Sequence, residues 1–264
     1  MSDWPASTCA SNISLPLIEA AFSSCTALTD VSPLADCKEL QIVTLPPNAK
    51  NFEFLRAFTK LERLSFAEDK TPAEFWKEYD AQAWLRTLRE SGIAIKSVHR
   101  LPDGTWQVDL SNAAIDDLTI LKGTPISDLN IGATAVTDLT PLRGMAIKKL
   151  SVVNTKVTDL SPLEGMPLEY LQIMGTTVKD LAVLRGMPLT SVRLIGCKEI
   201  TDLSPLADCK ELQNITLPPN ATNFEFLRAF PKLARIGFQQ DAKSTWLADK
   251  TAAEFWQEYD AKKN

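Results

Sequence analysis

Apolar pairs with one residue between them recur along the second half of the chain at Val108/Leu110, Leu129/Ile131, Leu150/Val152, Leu171/Ile173 and Val192/Leu194, each 21 residues after the last. That spacing puts both side chains of a pair on one face of a strand. The interval stretches to 23 at Ile215/Leu217, because Gly196 to Ile200 carries two extra residues, and returns to 21 at Ile236/Phe238. A single unit of this length cannot bury an apolar face alone, so seven in succession predict a solenoid whose parallel strands share one core.

A second repetition lies over the first. Asp30 to Phe66 returns as Asp202 to Phe238 at an offset of 172, with 8 changes in 37 positions. Leu15 to Thr29 aligns without a gap to Met187 to Thr201, and DKTPAEFWKEYDA from Asp69 returns as DKTAAEFWQEYDA from Asp249, after an insertion of 8 residues. The first part therefore carries the same kind of unit, with core pairs Ala20/Phe22, Val43/Leu45 and Leu64/Phe66.

Between the two arrays the pattern changes period. Thr71, Pro72 and Glu74 form a capping box with proline at the first helical position, and Ser91-Gly92 is a stop, so a helix is predicted from about Pro72 to Ser91. IAIKSVHR and TWQVDLSN flank LPDG, which predicts a hairpin leading into Val108/Leu110 and covering the open edge of the second array. A closing helix from Ala252 to about Lys262 is expected at the other end. The resulting division is a lead or linker over 1–14, a first repeat block over 15–70, a helix and hairpin over 71–104, a second repeat block over 105–240 and a capping helix over 241–264.

Three residues beyond the second member of each pair stand Thr134, Thr155, Thr176, Cys197 and Asn220, with Ala113 and Asp241 departing in the terminal units. In the first block the same position holds Cys25, Asn48 and Asp69. With the pairs themselves, this resembles the leucine-rich repeat, LxxLxLxxNxL, in which a small polar side chain satisfies backbone groups at the strand exit. The short TDLSPL segment with Pro141, Pro162 and Pro205 is similar to the internalin-like bacterial subclass. That resemblance implies an α/β solenoid with a parallel concave sheet and short convex turns, in two blocks separated by a helix and hairpin. The GMPL, LPDGTW and FWxEYDA phrases are similar to repeat tails of large planctomycete and verrucomicrobial proteins, some of which follow serine/threonine kinase domains.

Composition narrows the function classes. A net charge of −5 gives no encouragement to nucleic-acid binding, and no run of 18 apolar residues is present to span a membrane. The opening MSDWPASTCASNIS has neither the basic nor the apolar region of a signal peptide, which points to a cytoplasmic location. Four of the five cysteines are copies across the duplication, Cys25 with Cys197 and Cys37 with Cys209, and are read as reduced and largely buried. With one histidine, His99, no His-based triad or multi-His metal site can be assembled, and no phosphate-binding or kinase motif occurs. Asp30, Asp138, Asp159, Asp180 and Asp202 recur once per turn just before a 3₁₀ segment, where a carboxylate caps the backbone; the acids of the two FWxEYDA helices belong to a solvated face. No catalytic residue, cofactor or metal is expected.

The remaining chemistry is the concave face. Alternation along each strand gives a first outward column of Gln107, Asp128, Lys149, Tyr170, Ser191, Asn214 and Arg235, a central one of Asp109, Asn130, Ser151, Gln172, Arg193, Thr216 and Gly237, and a third containing Val153, Met174, Ile195 and Pro218. Apolar, aromatic and cationic residues converge at Lys149, Val153, Tyr170, Gln172, Met174, Arg193 and Ile195, the composition of an interface hot spot. The expected function is a monomeric, non-catalytic module binding a protein partner there. An internalin-like adhesin and a docking tail of a serine/threonine kinase are the alternatives, and the strip could instead be covered by a flanking segment of the same chain.

Overall fold

The structure is a computed structural model and describes residues 16–241 and 244–263. The predicted lead over 1–14 and Cys9 lie outside the described residues. The chain divides into two compact units after Ala83.

In the first unit, strands β1 (Glu19–Ala21), β2 (Ile42–Thr44) and β3 (Arg63–Ser65) form a parallel sheet with Ala20, Val43 and Leu64 in register. The returning chain on the convex side is a 3₁₀ turn, Ser32–Asp36 and then Glu53–Ala57, short enough to keep the repeat compact. Helix α1 (Pro72–Ala81) closes the unit. Thr71 and Glu74 form the reciprocal capping box, and Phe75 and Trp76 are buried against Phe52, with Phe66 and Tyr79 completing an aromatic cluster.

The second unit opens with α2 (Ala83–Glu90), which buries Leu88 in the core and sets Trp84 edge-on to Trp106 with ring centroids 5.6 Å apart. The helix predicted as one piece from Pro72 to Ser91 is thus two. Gln82 between them leaves helical geometry at φ −103°, ψ 10°, so that Phe75 and Leu88 each join the core of their own unit.

An eight-stranded sheet follows, from β4 (Ser97–Arg100) and β5 (Trp106–Asp109) through β6 (Ile126–Asn130), β7 (Lys149–Ser151), β8 (Tyr170–Gln172), β9 (Ser191–Arg193) and β10 (Asn214–Thr216) to β11 (Arg235–Gly237). The hairpin β4–β5 is antiparallel and turns through Gly104 at φ +84°; all other pairs are parallel. Val108, Leu129, Leu150, Leu171, Val192, Ile215 and Ile236 lie opposite one another along the sheet, which is the register set by the sequence spacing. The fold is therefore a leucine-rich-repeat solenoid with a parallel concave sheet and 3₁₀ turns on the convex side.

The strand-exit threonines hold the turns together. The Thr134, Thr155 and Thr176 hydroxyls each donate to the carbonyl three residues back, at 2.7 Å. Cys197 Sγ–H donates to Ile173 O at 3.0 Å, and the side-chain amides of Asn48 and Asn220 reach carbonyls of the preceding turn. On the convex side Asp138, Asp159, Asp180 and Asp202 each accept the N–H two residues on, at 2.7 to 2.9 Å. For Asp159 the hydroxyl and the backbone N–H of Ser161 together hold the carboxyl below its usual range.

One predicted core position departs. Phe238 is 41% exposed, because no further repeat packs on it; Phe224 meets it edge-on and Phe255 of the closing helix α3 (Ala252–Lys263) meets it at a tilt. The closing modules of the two units are built alike: Arg56 lies 3.8 Å over Trp76 and pairs with Asp80, and Arg228 lies 4.2 Å over Trp256 and pairs with Asp260. The four described cysteines are free thiols, but burial is unequal: Cys197 and Cys209 are buried, Cys37 is half-buried and Cys25 is exposed at the outer turn of the first unit.

Candidate functional site

The concave face of the second unit is divided in two by its own chain. The eight residues absent from the first copy let the segment after β11 fold back as a hairpin, β12 (Gln240–Asp241) with β13 (Ser244–Ala248), lying against β10 and β11. Asn214 Oδ1 accepts the Ala248 N–H at 2.8 Å, Arg235 Nε donates to Ala248 O at 2.7 Å, and Arg235 pairs with Asp241 at 2.9 Å. Gln240 Nε2 reaches Met174 Sδ at 3.4 Å, extending the cover to β8.

The strands beneath are adapted to this strap. At the 172-residue offset, Glu19, Ala21, Ile42 and Ser65 of the first copy become Ser191, Arg193, Asn214 and Gly237. Asn214 anchors the strap, and Gly237 makes room for it: a Cβ built there would lie 1.8 Å from Asp249 Oδ1. Ile42, by contrast, stands exposed in the first unit.

This changes the exposure of the residues singled out from the sequence. Arg193 is 2% exposed and Gln172 is 7% exposed, so neither projects as a free anchor. The alternation places both correctly on the concave side, but side-chain parity carries no information about what covers that side. Gln172 Nε2–H donates to the Tyr170 hydroxyl and its Oε1 accepts from Ser151 Oγ at 3.2 Å, so it works as a bracket for its neighbours. Val153, Met174 and Ile195 are half-buried and Pro218 is buried, so the apolar strip is largely closed at its far end. Lys149 is exposed and Tyr170 half-buried, and burial pushes the Tyr170 hydroxyl above its usual range against the opposing effect of Arg193.

What stays open is the half of the face over β4 to β8. A cleft of about 530 Å³ lies there, lined by Gln107, Asp109, Asp128, Asn130, Lys149, Ser151, Tyr170 and Gln172 among others. That volume is in the range of ordinary ligand clefts. Gln107 Nε2 donates to Asp128 Oδ2 at 3.3 Å, and Lys149 Nζ stands 3.7 Å from the same oxygen. Burial raises the Asp128 carboxyl above its usual range, with the Lys149 charge opposing the shift. Of the residues predicted to bind, the structure brings Lys149, Tyr170 and Gln172 together at this cleft. Asp109, Asp128, Asn130 and Ser151 complete it. They stand in the outward columns of the sequence but carry no apolar or aromatic signal that would single them out.

Among the described residues, no group of three or more His, Cys, Asp or Glu is placed to hold a metal ion, and no helix is long and apolar enough to cross a membrane. No family model matches the chain, and no curated protein matches it. Solved structures similar to it include an internalin (inlF) from Listeria monocytogenes, at 20% identity over 81% of this chain and 53% of that one, with a TM-score of 0.44. Another is internalin C2 (inlC2) from Listeria monocytogenes, at 19% identity over 79% of this chain and 75% of that one, with a TM-score of 0.45. The chain thus spans about half the length of the inlF structure it matches.

Proposed function

We propose that the second unit is a non-catalytic protein-interaction module that takes its partner on the open half of the concave face. The observation that carries this reading is the cleft of about 530 Å³ over β4 to β8, on the part of the sheet face that the strap against β10 and β11 does not occupy. Lys149, Tyr170 and Val153 make the direct contacts, Met174 and Ile195 continue the strip toward the strap, and Gln172 and Arg193 hold the Tyr170 hydroxyl from below. An aromatic ring held in one orientation before binding loses little freedom when a partner arrives.

The test is affinity capture with the full chain followed by direct binding measurements on purified partner. Tyr170→Ala should weaken binding by about 2 kcal/mol or more, as expected for truncating a central aromatic. Lys198→Ala, on the exposed turn beyond β9, should leave it unchanged. Loss of binding on the turn variant with full binding by Tyr170→Ala, both folded, would assign the partner to another face.

A further inference from the structure

The repeat that opens the first unit has a counterpart in the second, and the two are covered differently. At the 172-residue offset Leu17, Cys25 and Leu28 correspond to Leu189, Cys197 and Ile200. The second set is fully buried, because β8 and the turn after it pack on this repeat: Cys197 Sγ–H donates to Ile173 O at 3.0 Å, and the Thr176 hydroxyl stands 3.8 Å from the same sulfur. In the first unit Leu17 and Leu28 are half-buried, while Cys25 and Ile18 are exposed. A repeat of the kind that is sandwiched in one copy therefore presents its apolar end outward in the other.

The backbone differs in the same way. On the inner side of β1, Ile18 O accepts the Gln41 N–H at 2.8 Å and the Phe22 N–H donates to Thr44 O at 2.8 Å. Alternation along the strand turns the N–H and C=O groups of Glu19 and Ala21 to the other side. Their counterparts Ser191 and Arg193 use that side to pair with β8: the Ser191 N–H donates to Glu169 O at 3.1 Å, and Arg193 O accepts the Ile173 N–H at 3.2 Å. Among the described residues β1 is paired with β2 alone. The remaining sheet ends are closed or charged, since α1 packs on β3, α3 packs on β11, and β4 carries exposed His99 and Arg100. β1 holds no lysine, proline or bulge, the devices that ordinarily keep an edge from pairing.

We propose that β1 of the first unit pairs with β1 of a second copy of this chain, giving a dimer in place of the monomer expected from the sequence. The two strands run antiparallel about a two-fold axis beside Ala20, with Glu19 of one copy opposite Ala21 of the other. That register is self-complementary, because each Glu19 exchanges N–H and C=O with an Ala21 and the outward groups of both residues are all used. Beneath the paired strands the apolar ends of the two cores come together, as β8 and β9 do within the second unit. Charge favours a copy as the occupant. Pro16 to Thr29 carries one charged residue, Glu19, where the counterpart stretch has Arg193, Lys198 and Glu199, and in this register each Glu19 faces an alanine. Two such ends therefore meet without like charges opposite one another.

Sedimentation velocity of the full chain over a series of concentrations tests this, with each variant checked for an unchanged melting profile. Wild type should form dimers. Ala21→Pro removes an outward N–H that β2 does not use, and should abolish them. Ala21→Glu sets like charges opposite one another twice in the dimer and should weaken association about tenfold. Glu19→Lys combined with Ala21→Glu turns both contacts into ion pairs and should restore it, whereas Lys198→Ala should change nothing. Should Ala21→Pro disturb folding, the charge changes decide alone, since Glu19 and Ala21 are both exposed. A chain that stays monomeric at every concentration overturns the proposal, and so does a dimer indifferent to both Ala21 variants. Loss of the dimer in Ala21→Glu that the added Glu19→Lys does not restore overturns the antiparallel pairing.

Discussion

Replacing Thr155 by valine removes one hydroxyl from the interior of the solenoid and little else. Thr155 is buried, and its Oγ1 donates to Val152 O at 2.7 Å, where the strand ends and the chain turns. Valine keeps the shape and leaves Val152 O with the long bond from the Thr155 N–H at 3.3 Å. An intramolecular hydrogen bond is worth about 0.5–1.5 kcal/mol net, and a buried acceptor left under-satisfied costs about 1–3 kcal/mol. The gained methyl offsets under about 1 kcal/mol. The expected loss is about 1–2 kcal/mol. For a unit of this size, at about 2–4 °C per kcal/mol, the second unit should melt about 2–8 °C lower. The same change at Thr176 should cost about half as much, because Ile173 O also accepts Cys197 Sγ–H at 3.0 Å and the Thr176 N–H at 3.2 Å. Thermal melts followed by circular dichroism, with exposed Thr158→Val as control, measure all three. An unchanged midpoint for Thr155→Val, or equal losses at 155 and 158, would refute the account of the strand-exit ladder.

The strap predicts an asymmetry between the copies: Gly237→Ser drives a side chain into Asp249 and should destabilise by about 1–3 kcal/mol, whereas Ser65→Gly in the first unit should cost about 0.5–1 kcal/mol through chain entropy. Equal effects in denaturant melts would show that the strap does not rest on Gly237. Glu225 accepts from Tyr259 Oη at 2.6 Å and Lys263 Nζ at 3.0 Å, which lower its carboxyl from 4.5 to about 2. A depressed folded value contributes stability above about pH 4.5 that is lost as the pH falls toward 2, and solvent screening limits it to about 0–1 kcal/mol. Tyr259→Phe should flatten that part of the stability profile, and an unaltered acid slope would count against the pairing. Finally, a fragment beginning at Trp84 should fold and melt cooperatively, while one beginning at Gly92 loses the fully buried Leu88 and the half-buried Trp84 and should be less stable by about 2–3 kcal/mol of lost burial. Matching melts for the two fragments would remove α2 from the core.

The sequence by itself determined the repeat, the strand register and the caps. A period of 21 with paired apolar positions admits one parallel register, since any slip would turn Leu150 or Leu171 outward, and the sheet pairs them. The threonine ladder, the aspartate turns and the Thr71 capping box were legible for the same reason: each is a local requirement of backbone donors and acceptors, satisfied within a few residues. Exposure was not legible. Alternation tells which side of the sheet Arg193 and Asp128 occupy, but what covers a side is settled by segments distant in sequence. The 8-residue insertion was visible as a mismatch between two copies, and so were Ile42 against Asn214 and Ser65 against Gly237. Only the folded chain shows these as one feature, because the Ala248 N–H meets a carbonyl oxygen of Asn214's side chain 34 residues away and Asp249 takes the space a side chain at 237 would fill. The break at Gln82 is of the same kind: capping and propensity permit a continuous helix, and the separate burial of Phe75 and Leu88 in two cores divides it.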